Sequence, residues 1–249
     1  CILDAENVPE YDRLKEIFAK DSLQMVSFTV TEKAYSLVDA AGEFLSAVAE
    51  DFEAGPDKPK SYMGKVAALL YHRYKNGEKP VAVVSMDNCS HNGDIIHNTI
   101  NTFAVKWAEK GTVEQGFVDY INDKSKVTFP WSMIDKITPR PHESIQGILT
   151  EDGVEGVDPI ITARKTYIAP YVNAEESEYL VIEDAFPNGR PALEKGGIMF
   201  TKRQAVDKVE TMKVCTCLNP LHTTLAVFGC LLGHERICDE KKKNELLGL

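Results

Sequence analysis

The sequence predicts an open α/β sheet that runs into a mainly α-helical C-terminal segment. Helix-type and strand-type patterns alternate through the first 110 residues. Pro80-Val-Ala-Val-Val-Ser85 is a continuous apolar run, as expected for a parallel strand buried on both faces. Beyond Lys124 the pattern turns extended and proline-punctuated, and near the C-terminus it becomes strongly apolar at helical spacing.

In chain order, residues 9–20 (PEYDRLKEIFAK) read as a short amphipathic helix, and Met25–Thr31, rich in β-branched and aromatic residues, as a strand. Residues 61–76 place Met63, Val66, Ala67, Leu70, Tyr71 and Tyr74 on one helical face, with Asn76-Gly77 as the stop. The apolar strand 80–85 follows, then a long helix over Asp94–Lys110 entered through Asn92-Gly93. Such alternation implies right-handed crossovers, with ligands beyond the carboxyl ends of the strands. The two strand ends read Thr31-Glu32-Lys33-Ala34-Tyr35 and Met86-Asp-Asn-Cys-Ser-His-Asn-Gly-Asp94. Val127–Pro139 is extended, with Asp135 set among apolar residues, where Lys136 or Arg140 would serve as its partner if it is buried. Residues 140–175 predict short strands and loops, and Tyr179–Asp184 a strand leading into FPNGRP (186–191). An apolar helix carrying Leu225, Phe228, Leu231 and Leu232 comes last.

The formal net charge of -10, from 28 basic and 38 acidic residues, argues against nucleic-acid backbones and anionic membrane surfaces as partners. Lys241–Lys243 read as a solvated face or tail. No apolar stretch approaches a membrane span, the longest being Leu225–Leu232, and the first residues lack the pattern of a signal peptide. Opening on Cys1 rather than Met, the chain reads as a piece of a longer protein.

Six cysteines are present, and with His222 and His234 the tail offers CxC-x4-H and C-x3-H-x3-C. A zinc or binding module is the alternative this raises. The apolar residues between them instead suit buried, reduced cysteines in a cytoplasmic protein.

Lys213-Val-Cys-Thr-Cys-Leu-Asn219-Pro-Leu-His222 brings together an amine, an amide and an imidazole. The apolar filler predicts a buried wall, with Asn219 and His222 on one helical face. A buried helix start is the plain alternative for this stretch. No GxGxxG follows the first strand, which implies that the first βαβ unit lies upstream.

Four ordered segments, TVTEKAY (29–35), SMDNCSHNGD (85–94), FPWSMIDKITP (129–139) and FPNGRP leading into KVCTCLNPLH, resemble the long-chain mannitol dehydrogenase family of polyol and hexuronate dehydrogenases. The family's D-N-x-x-x-N-G stands as Asp87, Asn88, Asn92 and Gly93, and its V-D-R-I-x-P as Ile134, Asp135, Lys136, Ile137, Thr138 and Pro139. The resemblance implies a Rossmann-like cofactor domain over 1–190 and the start of a helical substrate domain over 191–249. It implies metal-independent exchange between a sugar-derived secondary alcohol and its ketone, with NAD or NADP as cofactor and a small polyol, keto-sugar or sugar acid as substrate. By the same likeness Lys213 is the general base, Asn88 and Asn219 donate to the developing alkoxide, and His222 orients the base or a substrate hydroxyl. Asp135 binds another hydroxyl, and Thr31 and Glu32 lie near the nicotinamide. Asp87 and Arg190 are read as further substrate ligands, with a helix cap for Asp87 and a structural ion pair for Arg190 as the equal alternatives. Two departures stand out. Lys213 is six residues before Asn219 where the family has five, and Pro220 predicts that Asn219 ends an extended stretch. A truncated, inactive relative is therefore a further alternative.

Overall fold

The computed structural model describes residues 7–136, 141–161, 165, 167–172, 174 and 179–234. Cys1, Cys238, Arg140 and Lys241–Lys243 lie outside them. Helix α1 (Val8–Phe18) leads to strand β1 (Met25–Phe28), and helices α2 (Glu32–Tyr35), α3 (Ser46–Ala54) and α4 (Tyr62–Lys75) form the crossover to β2 (Val81–Ser85). Helices α5 (Asn92–Glu109) and α6 (Gln115–Asn122) then cross to β3 (Val127–Thr128). The three strands are parallel in the order β1-β2-β3, with Val26 opposite Val83 and Val81 opposite Val127.

The second half begins with β4 (Ser132–Asp135), α7 (Glu143–Glu151), β5 (Ile160–Ile161) and β6 (Tyr167–Ile168). It continues with β7 (Tyr179–Glu183), a 3-10 turn at Leu193–Gly196, and β8 (Met199–Thr201). Strands β4, β7 and β8 form a mixed sheet in which β4 is antiparallel to β7 and β7 parallel to β8. β5 and β6 form a separate antiparallel pair.

Strand β2 is buried along its whole length because both of its faces are covered. Val81 and Val83 face a core built with Leu70, Ile96, Ile100, Phe103 and Phe117 from the helices. Ala82 and Val84 face Ile182 of the mixed sheet, with Phe186 and Phe200 packed beside them. The alternating pleat thus joins a helical layer to a second sheet through one strand. At the opposite ends of these strands, Arg73 is fully buried and donates to the carbonyls of Phe18, Lys20, Leu23, Lys79 and Pro80. Five carbonyls satisfy the guanidinium and fix where β1 and β2 begin.

The chain then enters one continuous helix, Arg203–Leu231, made of α8 (Arg203–Val209), a π-helical stretch (Glu210–Leu218) and α9 (Asn219–Leu231). By length and composition alone this 29-residue helix could cross a membrane, which corrects the expectation of no such stretch. Its apolar side chains Leu221, Val227, Phe228 and Leu231 are exposed in this structure. The expected extended segment before Pro220 is also corrected, since Asn219 has φ -63 and ψ -46. Proline lacks the N–H for the preceding turn, and its ring crowds the carbonyl four residues back. Widening the helix to π spacing just before Pro220 relieves that crowding and takes up one extra residue without a break.

Candidate active site

A cleft of about 930 Å³ opens beyond the carboxyl ends of β1 and β2. Its floor comes from the chain leaving β1 (Thr29–Glu32) and the loop leaving β2 (Met86–Ser90), and β4 contributes Ile134 and Lys136 beyond it. Val214 and His222 of the long helix close it. Ligands of open α/β sheets sit at this end of the strands. A second cleft of about 780 Å³ lies beside the edge strand β3. Among its lining groups Arg203 is already bonded to Asp94 and Glu183.

The loop after β2 is held by a buried joint. Asn92, fully buried, donates to the Ser132 carbonyl and hydroxyl at 3.1 Å each, and accepts from the Ser132 N–H at 3.1 Å. It also donates to the Asp87 carbonyl at 3.2 Å. The Ser132 hydroxyl donates to the Ser85 carbonyl. Asp87 is 6% exposed, and both of its carboxylate oxygens are engaged. Oδ2 accepts from the Tyr35 hydroxyl, and Oδ1 accepts from the Cys89 N–H at 3.0 Å and from Asn92. Gly93 completes the joint, because a Cβ there would collide with the Phe129 carbonyl and reach within 2.7 Å of the Trp131 ring. The D-N-x-x-x-N-G spacing is therefore a scaffold that leaves Asn88 exposed at the cleft.

Asp87 thus lines the cleft while three protein donors hold its carboxylate. Burial, followed by the bond to Asp87, raises the pKa of the Tyr35 hydroxyl, so it stays a donor. Burial and the neighbouring Asp87 push the Cys89 thiol up to about 11.

The helix that closes the cleft is anchored at its N-terminal end. The His91 ring stacks on Trp131 with centroids 4.2 Å apart, and its Nε2 lies 3.1 Å from Asp207. The His91 N–H donates to the buried Glu210 carboxylate at 3.3 Å. Arg203 lies 4.8 Å from the Trp131 ring centroid while donating to Asp94 and Glu183. His91 adopts the left-handed conformation, φ 52, at the entrance of α5.

Of the residues singled out in the sequence, Thr31, Glu32, Asp87, Asn88 and His222 line one cleft. Lys213 and Asn219 stand on the wall helix but not among the lining residues. The buried wall is corrected, since Lys213, Asn219 and His222 are all exposed. The Lys213 amine rests 3.7 Å from the Tyr179 ring centroid, and the next residue, Val214, faces the cleft. Arg190 is not among the lining residues, and its contacts follow the structural-pair alternative. It donates to Asp184 at 2.9 Å and to Glu194, and covers the Phe200 ring at 3.7 Å. In the same turn Asn188 donates to the carbonyls of Asp21 and Leu23, so FPNGRP ties the mixed sheet to the start of β1. Asp135 lies in β4, and its side chain is outside the described residues. Sequence reasoning missed Tyr35, Ser132 and Val214, and read Lys136 only as a possible partner for Asp135. Period-2 alternation from Ser132 through Ile134 to Lys136 is the signal that finds two of them.

Among the described residues, no group of three or more His, Cys, Asp and Glu side chains could hold a metal ion. Cys215, Cys217 and Cys230 are exposed free thiols.

Residues 6–195 match the family described as the mannitol dehydrogenase Rossmann domain. The chain is 50% identical over 236 residues to a D-mannonate oxidoreductase of Thermotoga maritima, covering 94% of this chain and 43% of the relative. A substrate-free crystal structure of D-sorbitol dehydrogenase superimposes with a TM-score of 0.77 at 28% identity, over 96% of this chain and 45% of that one. A Pseudomonas fluorescens mannitol 2-dehydrogenase, solved as a ternary complex with NAD and D-mannitol, gives 0.66 at 32% identity, over 90% and 42%. The chain spans less than half the length of these relatives.

Proposed function

Because the chain belongs to the mannitol dehydrogenase family, we propose that it supplies the cofactor-side part of an NAD(P)-dependent oxidoreductase. The reaction interconverts a secondary alcohol and the ketone of a linear sugar derivative, of the mannitol/fructose or mannonate/fructuronate type. The observation that carries this reading is the single cleft joining Thr31, Glu32, Asn88 and His222 beyond the carboxyl ends of β1 and β2. The likeness to a D-mannonate oxidoreductase supports the sugar-acid half of the range.

The position of Thr31 and Glu32 fits the nicotinamide end of a dinucleotide, the part that α/β sheets receive at this edge. A bound nicotinamide supplies the hydride acceptor or donor. The chain's own residues do the rest. Asn88 and Asn219 donate hydrogen bonds to the alkoxide oxygen as its charge develops, a contribution of about 10² to 10³ in rate for each such donor. Lys213 takes the alcohol proton once its amine leaves the Tyr179 ring for the side of the helix where Val214 meets the cleft. His222 holds that amine or a neighbouring substrate hydroxyl, and Asp135 binds another hydroxyl. The π-helical stretch between Lys213 and Asn219 offsets the six-residue spacing by adding one residue to the turn.

The division near residue 190, a cytoplasmic location and a small-molecule partner complete the proposal. The long exposed helix is, on this reading, the first helix of a substrate domain. The test uses the full natural protein with mannitol, fructose, fructuronate and tagaturonate, each with both cofactors, followed by nicotinamide absorbance. Turnover of at least one pair is expected; none with any pair sinks the assignment.

A further inference from the structure

We infer that His91 is a positioning residue for the chemical step: its side chain clasps the helix carrying Lys213 and Asn219 to the loop carrying Asn88. This rests on the functional reading above, which gives those three residues their roles.

The backbone gives the first sign. His91 has φ 52 and ψ 40, the left-handed conformation, which glycine adopts freely and a residue with a Cβ adopts under strain. Such strain persists only where the surroundings over-determine it. Here three contacts do so, each from a different part of the fold. The imidazole lies on the Trp131 ring, 4.2 Å between centroids and 18° from parallel. Its Nε2 is 3.1 Å from the Asp207 carboxylate of α8. Its backbone N–H donates to the buried Glu210 carboxylate in the π-helical stretch at 3.3 Å. Trp131 is itself a fixed platform, because its N–H donates to Glu183 at 3.1 Å and its Nε1 to Asp94 at 3.0 Å. Glycine or asparagine would make the same turn with less strain. Neither reaches α8, since even asparagine ends a bond short of the imidazole Nε2.

The place of the clasp gives it a consequence. His91 stands three residues after Asn88, and Glu210 three residues before Lys213. The joint of Asp87 and Asn92 fastens the loop to α2 and β4, and Arg203 fastens the first turn of the helix to Asp94 and Glu183. His91 bridges loop and helix directly, at points one and two turns beyond Arg203 and so closer to Lys213. An amine and two amides that act on one oxygen must be held to within about 0.5 Å. A displacement of about 1 Å costs on the order of 10² in rate. A clasp three residues from both sets of groups controls such a displacement.

The test compares the full natural protein with His91→Asn, Asp207→Ala and the double variant, on whichever substrate pair shows turnover. Each enzyme, loaded with reduced cofactor, is mixed with saturating keto substrate, and one turnover is followed by nicotinamide absorbance. The amplitude counts competent molecules, and the rate constant reports the chemical step within them. His91→Asn keeps the turn, because asparagine tolerates the left-handed conformation. Its rate constant is expected to fall about tenfold to hundredfold, with the amplitude and the KM for cofactor unchanged. Asp207→Ala falls by a smaller factor, and the double variant is no slower than His91→Asn, because both changes open one clasp. A loss confined to the amplitude marks a merely structural residue and overturns the inference. Unchanged rate constants in an active protein, or losses that multiply in the double variant, overturn it as well. A natural protein that turns over no pair overturns the functional reading itself, and this inference with it.

Discussion

Asn92 and Lys213 stand behind two walls of one cleft without lining it, and their surroundings differ in every physical respect. Asn92 is fully buried and its amide bonds to Ser132 on one side and Asp87 on the other. Lys213 is exposed on a π-helical stretch, its amine resting on one aromatic ring. The polar groups with chemical reputations in the first wall, Asp87 above all, are occupied in holding a loop. The groups proposed for chemistry in the second wall are the ones still open to solvent. The contrast shows where rigidity sits: the loop wall is built by its own hydrogen bonds, and the other wall is a helix anchored through His91, Trp131, Arg203 and Glu210 and through the packing of Val206.

If this division holds, substitutions should separate activity from stability. Lys213→Met should lower kcat by about 10² to 10⁴, the range for a lost general base, and change stability by no more than about 0.5 kcal/mol. Paired kinetics and thermal melting check this, and a variant with full activity would break the second half of the comparison. Asn92→Ala should cost roughly 3 kcal/mol in urea denaturation, because several buried partners lose their bonds at once. A cost near zero would mean that the joint is not what holds the loop. Tyr35→Phe, which removes one donor to Asp87, should cost about 1–2 kcal/mol in the same measurement.

The smallest effect concerns thiols. The folded state keeps the Cys89 proton where an unfolded thiol has lost it, so this group's contribution to stability declines as pH rises from the ordinary thiol range to about 11. At pH 8 iodoacetamide should label Cys215, Cys217 and Cys230 well before Cys89, read by mass spectrometry of peptides. Labelling of Cys89 as fast as the helix thiols would show that the joint opens.

The parallel sheet was legible because β2 is apolar throughout and α4 and α5 carry long periodic faces. Helix α6 was not read, although Phe117, Tyr120 and Ile121 form a buried stripe, since eight residues give barely two turns of pattern. Helix α7 buries none of its residues, so no core face marks it. Asn88, singled out through its motif, lines the cleft, and Asn92 and Gly93 of the same motif hold the loop's shape. The hydrogen-bond partners of Asp87 and Arg190 were not legible, because a charged side chain shows its type in sequence and its partner only in the fold. The π-helical stretch was hidden for a related reason: a proline predicts a break, and the helix instead widened by one residue.

The central claim is that Asn88 acts on substrate while the residues around it merely hold it in place. The most direct measurement is kcat and melting temperature of Asn88→Ala in the full natural protein, on whichever substrate pair shows turnover. A fall in kcat of about 10² to 10³ is expected, with stability changed by no more than about 0.5 kcal/mol, because the side chain is exposed at the cleft. Retained activity, or a loss that tracks lost stability, would contradict the account.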